Sequence, residues 1–341
     1  MLRQWPNHFK YLTKLSRRHE KVLYIIPFLG KVLVTTGIPY DSSVKTEVID
    51  LANNAKCEPL ADFPYEAFSA TGGLIGQTPV ICGGSKWNNG SPDTYEDCYT
   101  LGPNGYEETF KLKHPRLMYA TVPWNSTHLW FSGTDTFGVA EETEFLDLEN
   151  GISDGPMLPK RLSGHCMVKI NDDKFMMIGG IDFANDHVAR DTFIYDVISN
   201  TWTQGPSLNN ARFNPTCGTY TKFCNHEEKY VVVAGGFTNR RNDLTVSTEV
   251  YDYINNTWRE GPDLPLEMEG FNMVNTPDNN GVIIYGGLYR DGQSVLGLVE
   301  KFYRFICSVD DCTWLEMEQE LEVKRSYPVG MLVPDELVKC E

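Results

Sequence analysis

Val231–Pro265 reads VVVAGGFTNRRNDLTVSTEVYDYINNTWREGPDLP, and this stretch decides the fold. It holds a β-branched apolar run closed by Gly235 and Gly236, then TEVYD (Thr248–Asp252), NNTW (Asn255–Trp258) and GPDLP (Gly261–Pro265). The segment before it repeats the pattern: MMIGG (Met176–Gly180), TFIYD (Thr192–Asp196), SNTW (Ser199–Trp202) and GPSL (Gly205–Leu208). In both copies a Trp follows the Tyr by seven positions, Tyr195 to Trp202 and Tyr251 to Trp258. A period near fifty residues marks units that cannot bury their own faces and stack on neighbours.

Worn copies extend the series. Gly-Gly pairs fall at Gly83-Gly84, Gly179-Gly180, Gly235-Gly236 and Gly286-Gly287, with a single Gly133 between the first two. Counting back from Gly84 reaches Gly37 in VLVTTG (Val32–Gly37), which gives six units. The TExxD signature recurs at Thr46–Asp50 and Thr143–Asp147. The Tyr-to-Trp pair becomes Tyr99 to Tyr106 in unit two and is stretched to Tyr303 and Trp314 in unit six.

Each unit reads as four short strands. In unit five, Thr216–Tyr220 is the first. Tyr230–Ala234, nearly all apolar, is a strand buried on both faces. The glycines let the backbone leave where no Cβ fits. Thr248–Tyr253 is the third strand, Asn255-Asn256 the tight turn, and Thr257–Glu260 the fourth, with Trp258 covering the gap to the next unit. Four-stranded units set radially make a β-propeller.

On these motifs the chain resembles the kelch-repeat proteins over roughly residues 31 to 333. The resemblance implies an all-β, six-bladed propeller with four antiparallel strands per blade. Its Gly, Tyr and Trp positions are then packing residues. The chain ends on Arg325 and SYPVGMLV (Ser326–Val333), the first strand of a further unit, expected to close the ring in blade one beside Lys31–Thr35. Units four and five likewise place an Arg, Arg161 or Arg212, at the head of the first strand.

That closure leaves Val22–Phe28 without a slot. Arg17-Arg18-His19-Glu20-Lys21 precedes VLYIIPFLG (Val22–Gly30), as at the front of a secretory leader. Residues 1–30 therefore read as a leader, with a first strand at 22–28 as the alternative, and 31–341 as one propeller. Nine cysteines agree with export. Cys82–Cys98, Cys217–Cys224 and Cys307–Cys312 are the expected disulfides, and the odd count leaves at least one free thiol, with Cys166 and Cys340 the candidates. Sequons stand at Asn89-Gly-Ser, Asn125-Ser-Thr and Asn255-Asn-Thr, and Asn255, in its tight turn, is the poorest acceptor.

A net charge of −16 argues against nucleic acid as a partner. No stretch is long and apolar enough to span a membrane as a helix. The sequence holds no CxxC, HExxH, GxSxG or GxxxxGK[ST] motif. The adjacent His pair of kelch-related copper oxidases and the Ser-x-Asp-x-Gly-x-x-Trp turns of sialidase-type propellers are missing too. No metal and no cofactor is expected.

The expected working face is formed by the loops after the Gly-Gly strands. They carry Tyr40, Trp87, Asp186, His187, Arg190, Arg240, Arg241, Tyr289 and Arg290. Arginine and aromatic side chains dominate protein contacts, and four arginines together suit a carboxylate-bearing ligand. The reading is a monomeric, exported propeller that binds a protein or peptide and is not an enzyme. The alternatives are an intracellular kelch adaptor or scaffold lacking the helical BTB module, and a secreted propeller enzyme such as a copper-oxidase relative.

Overall fold

The computed structural model describes residues 30–38, 44–88, 91–133, 141–182, 185, 187–222, 225–239, 243–291, 294–307 and 311–341. Residues 1–29 of the expected leader, and with them the strand expected at 22–28, lie outside these.

Second strands such as Val80–Cys82 and Val231–Ala234 are apolar throughout and almost fully buried. They form the middle of antiparallel sheets whose strands follow chain order. Blade two is Thr71–Ile75, Thr78–Cys82, Asp97–Gly102 and Gly105–Lys111. Blade three is Ala120–Pro123, His128–Ser132, Thr143–Asp147 and Gly151–Asp154. Blade four is Cys166–Asn171, Lys174–Ile178, Thr192–Asp196 and Thr201–Gln204. Blade five is Thr216–Lys222, Asn225–Ala234, Thr248–Asp252 and Thr257–Glu260. Blade six is Asn272–Asn275, Gly281–Tyr285, Lys301–Cys307 and Cys312–Glu320. In blade one, Val329–Val333 lies antiparallel to Lys31–Thr35, which pairs with Glu47–Asp50.

First strands of successive blades touch, and that of blade six touches Val329–Val333. Among the described residues, hydrophobic clusters fill each gap between neighbours. One joins Val232, Val250 and Tyr220 of blade five to Val282, Ile284 and Phe305 of blade six. Another joins Val32 and Val34 of blade one to Ile283, Tyr285 and Phe302 of blade six.

The repeat residues hold the blades together by identifiable bonds. Both glycines of each pair have positive φ, as Gly235 (63°) and Gly236 (90°) do. A Cβ on Gly236 would meet the Phe213 carbonyl oxygen at 2.8 Å. The Tyr251 hydroxyl donates to Asn256 Oδ1 (2.7 Å), and Asn256 turns the chain at φ 52°. Tyr195 and Asn200 repeat this. The Asp that ends TExxD accepts backbone N–H groups of the turn, as Asp147 does from Glu149 and Asn150. The Trp258 indole N–H donates to the Pro206 carbonyl (3.0 Å), and that of Trp202 to Met157 (2.9 Å). Each Trp therefore seals the gap to the preceding blade, not the next, because its acceptor, Met157 or Pro206, lies just after that blade's fourth strand.

Register corrects the pairings read for units two and six. Tyr106 faces Leu101 and Tyr99 faces Glu108. Trp314 faces Phe305 and Tyr303 faces Glu316. Aromatic identity in the third strand drifts by two residues, which keeps the same face of the sheet.

The Glu of TExxD has a buried partner. Arg116 binds Glu144 (Nη2 2.5 Å), Arg212 binds Glu249 (2.7 Å) and Arg325 binds Glu47 (3.0 Å). All three guanidinium groups are fully buried. Burial pushes Arg212 and Arg325 down while their carboxylates pull them back up. Burial also raises Glu47, against the pull of Arg325. These pairs occupy blades three, five and one. At the same places blades two, four and six carry Ala67 and Tyr99, Leu162 and Phe193, and Met268 and Tyr303. Arg161 is thus not the counterpart of Arg212. Leu162 fills that place, and Arg161 is exposed beside Glu141.

Disulfides join Cys82 to Cys98 and Cys307 to Cys312, as expected from sequence. Cys217 bonds Cys166, and Cys57 bonds Cys340, so neither candidate free thiol is free. Cys224 lies outside the described residues. Cys166 and Cys217 sit on the first strands of neighbouring blades, 51 residues apart, a closeness the ring creates and local spacing hides.

Candidate functional site

The first strands begin at the same face on which the Gly-Gly strands end. There, just before each first strand, every blade presents a residue in the left-handed region besides its strand-end glycines: Ser69, Met118, Gly164, Asn214, Gly270 and Tyr327, with φ between 50° and 62°. Non-glycine residues seldom adopt this conformation, least of all bulky ones such as Met118 and Tyr327.

Backbone hydrogen bonds run from blade to blade round this ring. Gly164 N donates to Met118 O (2.9 Å), Asn214 N to Gly164 O (2.7 Å), Tyr327 N to Gly270 O (2.5 Å) and Ser69 N to Tyr327 O (3.3 Å). Each link crosses to the preceding blade. The left-handed turn aims the peptide groups sideways, which ordinary strand geometry would not. The residues enclose a cavity of about 170 Å³ on the axis of the ring, shared with Thr216, Asn272 and His165.

The cavity carries hydroxyls, amides and aromatic rings, and among the described residues no ionised side chain lines it. Its histidine is held neutral. Burial lowers His165 to about 4, although its bond to the Leu162 carbonyl opposes this. Nδ1–H donates to Leu162 O (3.0 Å) and Nε2 accepts from the Ser132 hydroxyl (2.9 Å), which fixes the tautomer. A Ser–His pair suggests a nucleophile and its base. Here Ser132 is fully buried, does not line the cavity, and the imidazole is oriented by a carbonyl instead of a carboxylate. The pair braces blades three and four from the last residue of the second strand, where register places Ala234 in blade five, and Gly133 takes the first-glycine place.

The loop candidates among the described residues stand round this mouth on blades two, four and six. Trp87 is on the blade-two hairpin Ser85–Asn88/Ser91–Thr94, half exposed (51%) and stacked on Phe68 at 6.1 Å. His187 and Arg190, both exposed, follow the second strand of blade four. Tyr289 and Arg290 lie on the blade-six hairpin Leu288–Asp291/Ser294–Leu298, whose tip exposes Val295 and Leu296. Arg290 grips buried Glu269 through Nε (3.0 Å) and Nη2, and the Tyr327 hydroxyl approaches the other carboxylate oxygen (3.4 Å). Arg290 therefore anchors its hairpin to the mouth. Tyr40, Asp186, Arg240 and Arg241 lie outside the described residues.

The ring residues went unread in the sequence. A signal was present: Gly164, Asn214 and Gly270 are residues that tolerate positive φ, recurring 50 and 56 positions apart. Ser69, Met118 and Tyr327 broke the series and hid it.

The family model of the kelch motif matches residues 228–265. No curated protein matches the sequence. Among solved structures, one titled "Structure of YjhT" superposes with a TM-score of 0.67 at 15% identity, covering 85% of this chain and 98% of that one. Matching solved chains number 559, so the likeness speaks for the fold and leaves function to the site. The motif, the sheets and this likeness together make the chain a β-propeller of the kelch-repeat type.

Proposed function

We propose that this chain is an exported, monomeric, non-catalytic propeller that holds a protein or peptide on the face bearing the ring of left-handed residues. One observation carries the reading. All six blades contribute to a hydrogen-bonded mouth, and three raised segments with Trp87, His187–Arg190 and Tyr289–Val295–Leu296 stand round it. A neutral cavity rimmed by exposed aromatic, aliphatic and cationic side chains suits recognition better than acid–base chemistry. The four disulfides support export.

Selection of a displayed random-peptide library on the immobilised full chain tests this. The expected result is enriched sequences whose binding falls at least about tenfold, ~1.4 kcal/mol, in Trp87→Ala and is unchanged in Ile254→Ala on the opposite side. Absence of enrichment, or binding lost with Ile254→Ala alone, would overturn the site.

A further inference from the structure

We propose that Asn125 is an N-linked glycosylation site, and that its glycan stands on the face opposite the mouth. The inference rests on the export reading, and goes beyond it by naming the acceptor atom.

Asn125-Ser126-Thr127 forms the turn between the first two strands of blade three, with all three residues exposed. The turn is fixed from below. Trp124 stacks flat on Phe175 (4.8 Å) and edge-on to Trp130 (5.4 Å), and Gly76 of blade two donates its N–H to the Ser126 carbonyl (2.7 Å). Asn125 Oδ1 accepts from Thr127 N (2.8 Å), His128 N (2.9 Å) and the Thr127 hydroxyl (3.0 Å). The carbonyl end of the amide is thus tied to the turn, and no hydrogen bond holds Nδ2 among the described residues. A sugar on Nδ2 displaces nothing.

Asn255 offers the contrast. Its Nδ2 donates to Asp252 Oδ2 (2.8 Å) and its backbone N–H to Asp252 Oδ1 (3.0 Å), so its amide is spent on the turn. Asn89 lies outside the described residues. The donor is an oligosaccharide activated as a lipid-linked pyrophosphate, as the secretory pathway supplies. Nδ2 forms a bond to sugar C1, the C1–O bond to phosphate breaks, the pyrophosphate leaves with the electron pair, and the amide loses one proton to a base of the transferase. Gly133 ends the second strand on the mouth side, so this turn, at the strand's other end, keeps the glycan clear of a bound partner.

The test expresses the full chain behind a secretory leader in a eukaryotic host, then digests the secreted protein without reduction, before and after peptide N-glycosidase. The expected result is an Asn125 peptide recovered only after the enzyme, as the Asp form, and an Asn255 peptide recovered unmodified throughout. Asn125→Gln and Thr127→Ala each abolish the shift; the second keeps the Asn125 side chain in its turn. A bare Asn125 peptide beside an intact Cys57–Cys340 link overturns the glycan and leaves export standing. Reduced cysteines, or a chain retained in the cell, overturn both.

Discussion

The Arg–Glu pairs show one residue place solved in two ways within one molecule. Blade five buries Arg212 against Glu249, while blade four fills the same place with Leu162 and Phe193. Removing one ion leaves the other buried without its partner, which costs about 3–5 kcal/mol. Arg212→Leu is expected to lose that amount in urea denaturation. Arg212→Leu with Glu249→Phe, the blade-four solution, is expected to recover at least about 2 kcal/mol of the summed single losses. Strict additivity would mean that the pairs are not energetic units. His165 gives a second prediction at this scale. Its folded value, about 4, lies below the ordinary 6.5, so the unfolded chain binds the proton first as pH falls. Stability therefore drops between pH 6.5 and 4, by about 3 kcal/mol from this group once pH is below 4. His165→Gln should flatten that region of the profile measured by denaturation at pH 7 and 4.5. An unchanged slope would place the acid lability elsewhere.

At the scale of the strand, the glycine pairs act through closeness as well as φ. Gly236 and Gly76 both have positive φ, but a Cβ on Gly76 meets nothing within 4 Å while one on Gly236 meets Phe213 O at 2.8 Å. Gly76→Ala is expected to cost about 1–2 kcal/mol from backbone conformation alone. Gly236→Ala must also push aside the backbone of Phe213 and Pro215 and is expected to cost more, read as the larger drop in denaturation midpoint. Equal losses would reduce the motif to a conformational one. Elements of this kind were legible in sequence because their causes are local. A β-branched run makes the buried strand, and Asp252 and Asn256 make the turn after the third strand. The direction in which Trp258 points was not legible, because its acceptor Pro206 lies 52 residues away in a neighbouring blade. Tyr99 and Tyr303 misled for a related reason: spacing gives the face of a strand, and only register gives the partner across it.

At the scale of the molecule, what remained hidden was whatever the ring brings together from different units. The mouth is such a place, assembled from one residue per blade, and so is the Cys166–Cys217 bond. The Cys57–Cys340 bond reaches furthest, across 283 residues. Around it Glu58 N donates to Lys339 O (2.8 Å) and Glu341 N to Lys56 O (2.9 Å), so the last residues of the chain are laced to blade one. Lys31 Nζ, also of blade one, donates to the carbonyls of Asp335 and Val338 on the same tail. A propeller is opened most easily where its closing strand pairs, here Val329–Val333 with Lys31–Thr35, because no local turn joins those two strands. A crosslink closing so long a loop removes more unfolded-state entropy than one closing a hairpin, about 5.6 kcal/mol against about 2 kcal/mol in the chain-entropy relation. Cys307–Cys312 closes only 5 residues and duplicates contacts its own strand pair already makes. Cys57→Ser with Cys340→Ser is therefore expected to lower the guanidinium midpoint well below that of Cys307→Ser with Cys312→Ser. Hydrogen exchange in the first variant should rise first in Val329–Val333 and Lys31–Thr35, the strands the bond secures. A larger loss from the hairpin pair, or uniform exchange across the blades, would show that the ring is held shut by its packed interfaces and not by its ends.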